Sequence, residues 1–227
     1  MRKWGIVISL LYALIVVGLL VPVSVFLVGS DSLMRSDFLD RLTDTYQEWG
    51  VWIPIGMVLI GQAALLFLSV DTSWKRLKPR MHLAVTCTIA SMLAALLCFA
   101  VIECCGVTAS ESRFLDLIDS WGKVFALWGG LWILWGAVFY LYLRGSSQTT
   151  TKAVAWLLRG SVLELLIAVP CHVIVRRRNE CCAPILTSFG IVTGIAVMLL
   201  SFGPSVLLLY KKRLDGYRSQ GKAGAAS

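Results

Sequence analysis

Six uninterrupted apolar runs, at about 4–28, 51–70, 82–102, 124–143, 154–175 and 184–210, leave this chain little freedom of fold. Each is long enough to cross roughly 30 Å of hydrocarbon as a helix rising about 1.5 Å per residue. A transmembrane barrel would instead show segments of about 10 residues in strict alternation. The expected architecture is an all-α integral membrane protein, a six-transmembrane-helix bundle. Little chain remains between the runs, so residues 1–227 are read as one membrane domain, with a basic tail at 211–227. Hydrophobic residues make up 58% of the chain and charged residues 15%, too apolar a balance for an ordinary soluble domain.

The basic residues set the expected orientation. The N-terminus, the 71–81 and 144–153 loops and the tail hold 13 lysines and arginines against two acids, Asp71 and Asp215. The opposite face holds seven basic residues and ten acids. By the positive-inside rule both termini are cytoplasmic, in a multi-pass protein of the cell membrane. The net charge of +8 is therefore a topology signal, with the bilayer as partner and no nucleic acid implied. The first run follows Arg2 and Lys3 as a signal peptide would. It exceeds the usual apolar core of about 7–15 residues and lacks a small-x-small cleavage site, so it is read as a retained span.

Two outer connections carry apolar stripes at helical spacing. Met34, Phe38, Leu42, Tyr46 and Trp49 form one; Phe114, Leu117, Ile118 and Trp121 form the other. Both are expected to be short amphipathic helices on the outer surface. Pro22 is expected to kink the first span. In the fourth span Trp121, Trp128, Trp132 and Trp135 share one face, and Gly129, Gly130 and Gly136 offer places for close approach. Tryptophan favours membrane interfaces, so tryptophans within a span indicate a packing seam in preference to a ligand platform. Gly190 and Gly194 form a small-residue motif for close helix contact in the sixth span.

Chemistry concentrates toward one end. Alternation of the spans puts the end of the third, the end of the fifth and the start of the sixth on the same face. Cys104, Cys105, Cys171, His172, Cys181 and Cys182 gather there. Three readings compete: disulfides within the vicinal pairs, a soft-metal site for zinc or copper(I), and plain packing of thiols as small hydrophobes. The segment Cys181-Cys182-Ala183-Pro184 resembles the thiol pairs of bacterial mercury-uptake membrane proteins, whose spacing has one more residue before proline; no activity is carried over. A bis-histidine haem within one chain is argued against. His82 and His172 lie toward opposite ends of a bundle about 30 Å thick, whereas two axial ligands meet at one iron.

Glu164 falls near the middle of its span, where an ionised side chain costs at least ~2.5 kcal/mol and a partner is expected. It is either a proton or cation site, or a carboxyl that fixes helix packing, protonated or paired with Gln62 or Arg159. Arg176, Arg177 and Arg178 break the positive-inside pattern and are candidates for binding an anion or lipid phosphate. No Ser-His-Asp, Walker A, HExxH or dinucleotide motif is present. The chain is therefore best read as a non-catalytic accessory or ligand-handling subunit. Its outer Cys/His/Arg rim is the expected working surface, and a membrane-protein partner or a second copy the expected assembly. A small cation or soft-metal transporter using Glu164 is one alternative. A membrane thiol-disulfide oxidoreductase is the other, disfavoured because no CxxC occurs.

Overall fold

The computed structural model describes residues 2–28, 35–70, 79–117, 120–145, 149–178 and 183–202, and every regular element among them is helical. Six segments of these residues are long and apolar enough to cross a membrane: Ile6–Val28, Val51–Leu68, His82–Ala109, Gly122–Leu143, Thr149–Arg177 and Ala183–Phe202. In chain order the elements are α1 (Arg2–Ile15), a π-helical turn (Val16–Leu20), α2 (Val21–Val28), α3 (Arg35–Gln47) and α4 (Trp49–Val70). Then come α5 (Pro79–Ala109), α6 (Glu111–Leu117), α7 (Trp121–Leu143) and α8 (Thr149–Arg177). The last is α9 (Ala183–Phe202). The six-helix bundle, with the two short helices α3 and α6 between its spans, is thus the architecture the apolar runs require.

Helix α5 is the axis. Ala90, Leu93, Ala95 and Ala100 on it are fully buried, and the three small alanine side chains let neighbouring helices approach from several directions. Its Leu93 and Leu97 share one core with Tyr12 of α1, Leu65 of α4, Phe139 of α7, Leu157 of α8 and Val197 of α9. Helix α7 sits at the periphery and exposes Ile133, Leu134 and Leu141, side chains suited to lipid.

Two boundaries differ from the apolar runs. Helix α5 continues unbroken to Ala109, beyond the expected exit near 102. The added turns hold Cys104 and Val107, both fully buried, so they lie inside the bundle. Helix α8 begins at Thr149, because Thr150 and Ala153 pack inward.

Pro22 acts one turn earlier than a simple kink. Proline has no N–H to give to the carbonyl four residues back, and the preceding turn widens into the π-helical segment. There the Val21 N–H bonds to the Val16 carbonyl, five residues away. The Tyr46 hydroxyl of α3 donates to the Val17 carbonyl in that segment. Leu42 and Tyr46 pack on the core, so this part of the apolar stripe docks onto the bundle, while Arg41 and Asp44 of α3, and Glu48 just past its end, remain exposed. Met34 of the stripe lies outside the described residues.

Candidate functional site

The ends of α2, α5 and α8 and the start of α9 are fastened together by side chains on backbone. Arg176 donates to the Leu27 carbonyl at 2.6 Å, and Arg178 donates to the Thr108 carbonyl at 2.7 Å. Each guanidinium meets one of the last carbonyls of a helix, where orphan acceptors and the negative end of the dipole favour a cation. Arg177 is exposed. Glu111 Oε1 accepts from the backbone N–H of Ala183 at 3.2 Å, supplying a cap at the start of α9 just before Pro184. Phe114 lies directly on Gly106, with no room between them for a Cβ.

The thiols divide by depth. Adjacent residues on a helix project about 100° apart, so Cys104 is buried while Cys105 is exposed. Both are free, as are Cys87, Cys98 and Cys171. Cys105 faces Cys171 across α5 and α8, within hydrogen-bonding reach. His172 is buried, and its Nδ1 lies 2.8 Å from Thr187 Oγ1, tying α8 to α9. Among the described residues no three His, Cys, Asp or Glu side chains converge to hold a metal ion. Cys181 and Cys182 lie outside the described residues. His82 is at the far end of the bundle, 3.3 Å from Thr149 at the start of α8. Twenty-three residues of helix, roughly 35 Å, separate Thr149 from His172.

Glu164 is 1% exposed, and neither carboxyl oxygen has a hydrogen-bond partner. Arg159 is exposed, and Gln62 is buried elsewhere without bonding to it. The side chain occupies the trough that Gly190 and Gly194 leave in α9. A Cβ added at Gly190 would meet Cys104 Sγ at 2.6 Å, and one at Gly194 would overlap the carboxyl group itself. The glycine pair therefore does bring two helices close, and a carboxyl group fills the space between them.

The tryptophans serve packing in two ways. Trp132 donates to the Thr88 carbonyl of α5 at 3.2 Å and stacks beside Trp128 at 5.1 Å between ring centroids. Trp135 meets Trp156 of α8 edge-on at 4.9 Å, with Phe139 completing the cluster. Gly129 and Gly130 face open space, and Gly136 alone of the three approaches α5, near Ser91.

One further feature was not legible as a site in the sequence. A cavity of about 780 Å³ opens between the π-helical turn, α2, α4, α5, α7 and α9, beneath α3. Its walls are mainly aliphatic, with Val16, Val58, Leu96 and Val192 among them. Arg41, Asp44 and Glu48 line its exposed edge. Glu103 of α5 also lines it, 5% exposed, with Oε2 buried and unpartnered. One signal pointed that way: Leu96, Phe99 and Glu103 recur at helical spacing and share a face. No protein-family model, curated protein or solved structure matches this chain.

Proposed function

We propose that this is a non-catalytic, ligand-handling membrane protein that holds an amphipathic molecule in the cavity beneath α3. The cavity carries the proposal: it is within the roughly 300–1,000 Å³ range of small-molecule sites, is walled by aliphatic side chains and has a charged exposed edge. Cytoplasmic termini would put that edge on the outer side. The outer rim then works as a frame, with Arg176 and Arg178 fastening helix ends around the cavity and Arg177 free for lipid phosphate or a partner protein. Protein extracted gently from its native membrane is expected to release a stoichiometric small molecule on denaturation, detected by mass spectrometry. Val192→Trp, which fills the cavity, should release at least tenfold less, roughly the effect of one well-placed bulky group. Absence of any such molecule from the unmodified protein would refute the proposal.

A second role is supported by a different residue. Glu164, buried without a hydrogen-bond partner, suits a proton or cation site, since occupancy would offset the cost of a charge there. Glu164→Gln is expected to abolish cation or soft-metal flux in proteoliposomes. Unchanged flux, or none in the unmodified protein, would remove this role.

A further inference from the structure

We infer that the cavity ligand is a phosphate-free lipophilic cation, a long-chain amine or quaternary ammonium compound whose head group rests on Glu103; the inference rests on the ligand-handling role proposed above. Among the described residues, the charged groups that line the cavity are three acids, Asp44, Glu48 and Glu103, and one base, Arg41. Asp44 near the end of α3 and Glu48 just beyond it stand at the exposed edge and would attract a cation as it arrives. Glu103 lies beyond them, inside the wall.

Its position matches a head-and-tail molecule. Leu96 and Phe99 lie on the same face of α5 as Glu103, so an apolar ladder extends roughly 10 Å along the helix from the carboxyl group. Across the cavity Val192 and Ala196 of α9 continue that surface, and Val58 of α4 faces it. A buried carboxyl oxygen without a partner is a rare and costly arrangement. An ammonium group supplies the missing donor and charge together, while its chain follows the ladder away from Glu103. A zwitterionic phospholipid fits less well, because its phosphate would lie among Asp44 and Glu48.

The test uses the full chain in nanodiscs of phosphatidylcholine and two photoactivatable probes of equal length, a long-chain primary amine and the corresponding alcohol. Labelled residues are mapped by mass spectrometry. The amine is expected to label cavity residues of α5 and α9 at least about tenfold more than the alcohol, the factor one charge-assisted contact supplies. Glu103→Gln should erase that preference, and Glu103→Asp should retain part of it. Equal labelling of the cavity by both probes in the unmodified protein would overturn the role of Glu103 and leave the cavity as a ligand site. That comparison stands whether or not the variants fold. Labelling of the cavity by neither probe would overturn both. Added ethanolamine phospholipid should leave amine labelling unchanged, and displacement by it would overturn the restriction to a phosphate-free cation.

Discussion

Glu164 of α8 occupies the volume that a side chain at Gly194 of α9 would need. An alanine Cβ there would lie 2.9 Å from the Glu164 carboxyl carbon and 2.9 Å from Leu165 Cδ2. Gly194→Ala is therefore expected to force the helices apart, at a cost of about 1–3 kcal/mol for one added methyl group in a filled interior. Adding Glu164→Ala should recover a substantial part of that loss, because it removes the group in the way. Thermal unfolding of the two single variants and the double variant in detergent gives the coupling directly. Additive losses would show that the glycine and the carboxyl do not share this space.

The arginine triplet separates into different roles. Arg176→Met removes a half-buried charged donor from a terminal helix carbonyl and should destabilise by roughly 1.5–3 kcal/mol, whereas Arg178→Met removes an exposed one and should cost about 0.3–1 kcal/mol. Arg177→Met should remain within about 0.5 kcal/mol, as expected for an exposed position. Equal losses at all three positions, read from unfolding midpoints, would contradict this division.

Burial sets the order of thiol modification. With a small membrane-permeant alkylating reagent, Cys105 is expected to react first and Cys104 only after unfolding, because the first is exposed and the second enclosed. Peptide mapping after timed labelling distinguishes them. In sealed vesicles, Cys105 and the 181–182 pair should be reached from the same side by an impermeant reagent. Labelling from opposite sides would dismantle the shared rim.

His172 and Thr187 join α8 to α9 through a buried hydrogen bond. Thr187→Val keeps the shape but leaves the imidazole nitrogen without its partner, an expected cost of about 1–3 kcal/mol. Thr187→Ser should retain most of the stability. A stable valine variant, measured by unfolding midpoint, would mean that water or another group takes over the bond.

The apolar runs made the number of crossings legible because helix length against bilayer thickness is nearly a counting argument. Gly190 and Gly194 were equally readable as a close-contact motif. What they contact was not, since spacing reveals a small surface without naming the side chain that fills it. Glu103 was hidden for a related reason: an acid at the end of an apolar run looks like an exit to water. Here Cys104 and Val107 keep α5 inside the bundle past that point. The stripe of α3 had the same ambiguity, because Leu42 and Tyr46 suit lipid and protein alike. The widened turn that receives the Tyr46 hydroxyl depends on Pro22, far away in sequence. Glu164 was recognised as unusual from its depth alone, but the lack of a hydrogen-bonding neighbour required the positions of Gln62 and Arg159.

The inward turn of Gly190 and Gly194 also limits how copies of this molecule can meet. A dimer zipped along α9 through those two positions would first have to evict a carboxyl group from its own subunit. Self-assembly, where it occurs, is directed to other flanks of the bundle, and the glycines act as an intramolecular latch.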